Sequence, residues 1–178
     1  MSRPGAAGPD VDRQPHVDEP ERFVEVPGDF IGALLSGRAK AARPARDAPR
    51  SVRRPNDWLR QARLDLETAA LMRERERFEW ACFSAQQAAD KAVKALHDSA
   101  GTEAWGHAVA GLLEGLDGVP VQVMEAGKRL DKHYLPTRYP NTHPRGAPGD
   151  LYTADEADRA LEDAATVVEH VEGRLPSA

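Results

Sequence analysis

Arg138 and His143 stand five residues apart in the stretch Arg138-Tyr139-Pro140-Asn141-Thr142-His143, and their side-chain types could do chemistry together. An arginine keeps its charge at any working pH and offers a fork of donors to a phosphate. A histidine titrates near neutrality, so it can take or give a proton. Attack of a ribose 2′-hydroxyl on the adjacent phosphate needs a fixed cation for the developing charge and a group that moves protons. On this reading Arg138 stabilises charge and His143 moves protons, with no metal and no cofactor. Tyr139 and Asn141, inside the stretch, and His133, one turn past Arg129, are the candidate contacts to RNA or nucleotide. The plain alternative is an arginine and a histidine that are structural or simply solvated.

Other chemistries lack their residues. No Gly-rich phosphate loop, no Cys and His set at zinc spacing and no His-Glu-x-x-His occurs. Cys82 is the single cysteine and lies on an apolar helical stripe, which rules out an intrachain disulfide and a thiolate cluster and fits a reducing, cytoplasmic setting. The run Phe30-Ile31-Gly32-Ala33-Leu34-Leu35 is far too short to span a membrane. His97 and His170 read as surface residues, His107 as a cap or packing residue, and Trp58, Trp80 and Trp105 as packing anchors beside apolar positions.

The elements that must position the pair are helical. Leu59, Ala62, Leu66, Ala69 and Met72 form one stripe of a first helix that Asn56 or Asp57 can cap and that ends in the charged run 73–77. A second stripe, Phe78, Ala81, Cys82, Ala85, Ala88, Ala89, Ala92, Val93 and Leu96, defines a long core helix with Gly101 as its stop. Its small residues allow close approach of neighbouring helices. A short third helix begins near His107, and a fourth runs from Pro120 until Pro136 ends it. Four prolines and two glycines then make a long loop to Tyr152. Thr153 and Glu156 form a capping box for the last helix. The expected fold is all-α, an antiparallel up-and-down bundle of four long helices plus one short helix over 56–175.

Residues 1–55 hold eight prolines in a polar background and read as a disordered tail. Asp29 could cap one short amphipathic helix within it. The formal net charge is −5, yet Arg38 to Arg54 is strongly basic, so the end of the tail could serve as an electrostatic arm for nucleic acid or be merely solvated.

The string Ala85-Gln86-Gln87-Ala88-Ala89-Asp90-Lys91-Ala92-Val93-Lys94-Ala95-Leu96 resembles the second-helix signature of the HEPN family, named for higher eukaryotes and prokaryotes nucleotide-binding. Asp57-Trp58-Leu59-Arg60-Gln61-Ala62-Arg63, with Asp65-Leu66, is similar to its first helix. Tyr134-x-Pro136-Thr137-Arg138-Tyr139-Pro140 is similar to the loop before its last helix. The resemblance implies a helical domain that pairs as a homodimer. The spacing of Arg138 and His143 is similar to the Arg-x4-6-His motif of ribonuclease members, in which two motifs face one cleft and cleave RNA without metal. Tyr139 and Pro140 depart from that motif, and Arg-Tyr-Pro resembles a branch in which the histidine is often missing. The resemblance also implies a possible nucleotidyltransferase partner, although Arg145 stands where some relatives carry the tyrosine that such a partner modifies. Two functions therefore remain open. One is a metal-independent endoribonuclease of a two-gene toxin-antitoxin system. The other is a non-catalytic nucleotide- or protein-binding partner of a nucleotidyltransferase.

Overall fold

The computed structural model describes residues 52–175, and within them every regular element is helical. The expected disordered tail, the helix capped by Asp29 and nearly all of the basic arm lie outside the described residues. The helices are α1 (Pro55–Glu74), α2 (Phe78–Ala100), α3 (Val109–Glu114), α4 (Val121–Leu130), α5 (Pro148–Leu151) and α6 (Ala154–Glu172). Helix α2 is the centre of the bundle: α1 and α6 pack along it, α3 and α5 touch it, and α4 lies against α3 and α6.

The central helix buries far more than its predicted stripe. Gln86, Asp90, Ala95 and His97 are buried together with Ala81, Cys82, Ala85, Ala88, Ala89, Ala92, Val93 and Leu96. Ala62 and Ala69 of α1 and Ala157, Ala160 and Ala164 of α6 face it from either side, all with essentially no exposure. Alanine on alanine lets backbones come close enough for dispersion and area burial to act along the whole length of the helices. Gly127 makes the same kind of approach between α4 and α3, since a Cβ there would lie 3.0 Å from Leu113 and 3.2 Å from the Ala110 amide nitrogen.

The polar letters of the α2 string are the ties between elements. Lys91 donates to Asp65 of α1 at 2.5 Å, and Gln86 donates through Nε2 to the His107 carbonyl at 2.7 Å. Lys94 donates to Asp90 Oδ2 at 2.8 Å. The Thr153–Glu156 capping box forms as expected and starts α6. Gly101, at φ +72°, ends α2 as expected, with the Thr102 amide bonded to the His97 carbonyl at 2.9 Å.

Several expectations need correction. The first helix starts two to three residues before either expected cap would set it, at Pro55, with Arg54 as its N-cap residue and no side-chain cap from Asn56 or Asp57. Proline has no N–H to leave unsatisfied and its φ is already helical, so it takes the first position. The fourth helix stops at Leu130 and tightens into a 3₁₀ turn over Asp131–His133, well short of Pro136. There the Asp131 carboxylate accepts from the Val109 and Ala110 amides at 2.5 and 3.1 Å and so caps α3 from a distant part of the chain. The long loop is not uniformly irregular, because it contains a 3₁₀ turn over Pro140–Thr142 and the single turn of α5. The bundle thus has three long helices, a ten-residue α4 and two short helices. His97 is buried rather than on the surface, its ring bonded to Thr102 Oγ1 at 3.0 Å and to the Leu112 carbonyl at 2.9 Å. Trp105 is exposed rather than an anchor.

The α1–α2 reversal repeats the α2 terminus with a different residue. Arg77 N–H donates to the Met72 carbonyl at 2.9 Å and Glu76 N–H to the Arg73 carbonyl at 3.1 Å, which closes a Schellman motif around Glu76 at φ +56°. Left-handed backbone costs an L side chain about 1 kcal/mol that glycine does not incur. Glu76→Gly should therefore raise stability by up to about 1 kcal/mol, or roughly 4 °C in Tm for a domain of this size. Chemical denaturation measures this, and a lowered midpoint would contradict the strain assigned to Glu76.

Candidate functional site

The loop between α4 and α6 carries Arg138, and its turn is built locally. Buried Thr137 donates through Oγ1 to the His133 carbonyl at 2.6 Å, and the Arg138 and Tyr139 amides both reach the Leu135 carbonyl. Arg138 Nε donates to the Tyr134 carbonyl at 3.0 Å. The guanidinium then lies over three rings, 4.4 Å from the centroid of Phe83, 4.7 Å from Tyr134 and 5.3 Å from Tyr139. Phe83 comes from α2 and is itself met edge-on by Trp80 at 5.8 Å. Arg54, Arg63, Arg73, Arg77 and Arg129 each pair with a carboxylate, whereas Arg138 has no such ion pair among the described residues. Aromatic faces hold a guanidinium by its plane and leave its charge unneutralised.

His143 has different neighbours. Its Nε2 lies 2.7 Å from the Pro136 carbonyl oxygen, so Nε2 carries a hydrogen, and its ring meets Tyr152 edge-on at 6.3 Å. It lines a shallow depression with Arg145, Leu151, Tyr152 and Glu156. His133 also approaches Tyr152, at 5.8 Å, and lines a small cavity of about 220 Å³ with Arg129, Lys132, Glu156, Arg159 and Asp163. Burial pushes the Tyr152 hydroxyl up to about 12, so it stays protonated between the two histidines. Of the residues picked from the sequence, the structure brings Tyr139 to Arg138, groups His133 with His143 around Tyr152, and leaves Asn141 exposed in the 3₁₀ turn.

Sequence reasoning missed Phe83, the closest ring under Arg138, and placed Tyr134 in the same loop without a role beneath the guanidinium. Phe83 sits just off the apolar stripe of α2, and a large aromatic beside the stripe of small residues was the available signal. It also assigned His107 to capping or packing. The His107 ring is half exposed, stacks on Tyr134 at 4.8 Å with 22° between planes, and places Nδ1 3.7 Å from Asp90 Oδ1. Asp131 is buried enough to lift its carboxyl above the ordinary range, against the pull of the two amides it accepts from; Asp90 adds to the lift. Among the described residues no group of three His, Cys, Asp or Glu side chains converges as a metal site.

The polar ties of α2 and the Arg-Tyr-Pro turn lie within a stretch that the HEPN domain model matches, residues 55–174. The chain belongs to the HEPN domain family. It is similar to TT1696 from Thermus thermophilus, with 45% identity and a TM-score of 0.68 over 70% of this chain and 100% of that one. It is also similar to ST0689, an archaeal HEPN homologue, at 37% identity and TM-score 0.61, covering 69% of this chain and 98% of that one. A HEPN domain protein (tm0613) from Thermotoga maritima is 34% identical at TM-score 0.54, with coverages of 67% and 99%. No curated protein matches. Among the described residues of this HEPN chain, no helix is long and apolar enough to cross a membrane.

Burial holds His133 below its ordinary value, and burial followed by Arg174 does the same to His170. His133 Nδ1 and His170 Nε2 are buried without hydrogen-bond partners. A base whose folded pKa is depressed takes up protons more readily when unfolded, so stability is present above about pH 6.5 and is lost as pH falls through that region. We expect the urea midpoint to drop between pH 7 and pH 5 and the slope to flatten in His133→Gln. An equal slope in the variant would show that His133 is not a source of the loss.

Proposed function

We propose that this HEPN protein is a metal-independent endoribonuclease that acts as a homodimer, with Arg138 holding the scissile phosphate. The observation that supports this is the Arg138 guanidinium, laid on Phe83, Tyr134 and Tyr139 with no carboxylate among the described residues to neutralise it. An anion binds well to a cation that is already oriented and unpaired, and charge developing in a transition state gains most from such a group. His143 gives a proton to the departing 5′-oxygen through Nδ1, because Nε2 is engaged by the Pro136 carbonyl. Tyr139 and Asn141 meet the nucleotide beside the phosphate. Exposed Trp80, Leu135 and Tyr139 surround Arg138 with apolar surface suited to a second copy. The buried free thiol of Cys82 suits the cytoplasm.

A second reading, a non-catalytic nucleotide- or protein-binding partner of a nucleotidyltransferase in a two-gene system, draws support from the net charge of −5 and from the bond that occupies one nitrogen of His143. Both readings use Arg138, and they part at cleavage. Wild-type protein in excess chelator should cut RNA and leave 2′,3′-cyclic phosphate ends. Arg138→Ala should lower the rate by about 100-fold or more, and Arg138→Lys should not restore it, since lysine lacks the planar fork. Intact RNA after incubation with folded wild-type protein would transfer the assignment to the binding reading. Sedimentation at micromolar concentration should give a dimer mass, and a strict monomer would remove the two-copy site.

A further inference from the structure

We propose that His107, oriented by the buried carboxylate of Asp90, takes the proton from the attacking 2′-hydroxyl; this assignment rests on the ribonuclease reading and adds a residue from outside the Arg138–His143 loop. Asp90 is 2% exposed on α2. Its Oδ2 accepts from Lys94, while Oδ1 is buried with no hydrogen-bond partner among the described residues. An unsatisfied buried carboxylate oxygen is costly and calls for a partner. His107 Nδ1 is 3.7 Å away, just beyond hydrogen-bond length. The tautomer with hydrogen on Nδ1 points a donor toward that oxygen from just outside bonding distance and leaves a lone pair on Nε2.

The histidine is held from three sides. Gln86 donates to the His107 carbonyl, Asp131 binds the Val109 and Ala110 amides just after it, and the imidazole lies flat on Tyr134. Tyr134 is also one of the rings under Arg138. The imidazole and the phosphate-binding guanidinium therefore touch the same aromatic side chain, and the half-exposed His107 ring is open to a ligand there. The charged and titratable groups around His107 are Asp90 and Lys94 from α2, Asp131 and Tyr134 from the segment after α4, and Arg138 across the Tyr134 ring.

In the reaction the 2′-O–H proton passes to His107 Nε2 as the 2′-O–P bond forms. The P–O5′ bond breaks and the 5′-oxygen takes its proton from His143. Products are a 2′,3′-cyclic phosphate and a free 5′-hydroxyl, and solvent exchange returns both histidines to their starting states. His107 would be a catalytic residue and Asp90 a positioning residue.

Two substrates separate base from acid: an RNA dinucleotide, and uridine 3′-(4-nitrophenyl phosphate), whose leaving group needs no proton. With the full-length protein, His107→Gln should lose about 100-fold or more on both. His143→Ala should lose cleavage of the dinucleotide yet recover most of it on the nitrophenyl ester. Asp90→Asn, checked for fold by circular dichroism, should lower kcat on both substrates with KM unchanged, the split expected when a residue that orients the base is lost. His107→Gln within a few-fold of wild type on both substrates would overturn the assignment and leave the ribonuclease reading standing. Wild type inert on both would overturn the two together. An unchanged kcat in Asp90→Asn would reduce Asp90 to a structural residue and overturn the pairing.

Discussion

Close contact between the alanine faces of α1, α2 and α6 is the constraint on which the bundle depends. Ala62 and Ala69, Ala85, Ala88, Ala89 and Ala92, and Ala157, Ala160 and Ala164 bury completely or nearly so. Small side chains contribute little transfer free energy each, so the gain comes from many such contacts along three long helices. The same closeness sets the polar residues of α2 deep inside the domain. Once there they need partners, and Gln86, Asp90, Lys91 and Lys94 find them on α1, on the segment before α3 and on each other. Packing of the bundle and placement of the polar site are thus consequences of one choice of residue size.

Arg138 shows a second solution to holding a charge. Five other arginines are fixed by carboxylates, two of them in the bidentate pairs Arg73–Asp158 and Arg129–Asp163. Such pairs cancel charge and raise the arginine pKa while lowering that of a partner such as Asp158. A stack on Phe83, Tyr134 and Tyr139 fixes the plane of the guanidinium without cancelling anything. That difference makes Arg138 suited to an anionic ligand while Arg129, a few residues upstream, is tied into the helix packing.

Asp131 links the fold to the site. By capping α3 from beyond the end of α4, it sets where α4 stops and where the segment carrying His133, Tyr134 and Arg138 begins. It does so within range of Asp90, and burial together with that neighbour lifts its carboxyl. Asp131 and Asp90 therefore sit near each other at the end of the bundle where α3 begins.

Much of this was legible in the residues themselves. Period-3.6 stripes, the Thr153–Glu156 box and the glycine at 101 determine helices and their ends through local geometry alone, so the all-α bundle and the α2 core could be read directly. The Arg-Tyr-Pro loop was legible through its resemblance to the family's own loop. What lay out of reach depends on which residues meet across large sequence separations. Asp131 reaching back to Val109 shortens α4, His97 turns inward because Leu112 and Thr102 supply partners for both ring nitrogens, and Trp105 faces solvent for want of a surface to cover. The neighbours of Arg138 and His143 were hidden in the same way: five residues of spacing leave open which rings each side chain meets. Only the tertiary structure decided that Phe83 and Tyr134 lie beneath the arginine and that Asp90 lies beside His107, because such contacts are fixed by how helices pack and not by any repeat along the chain.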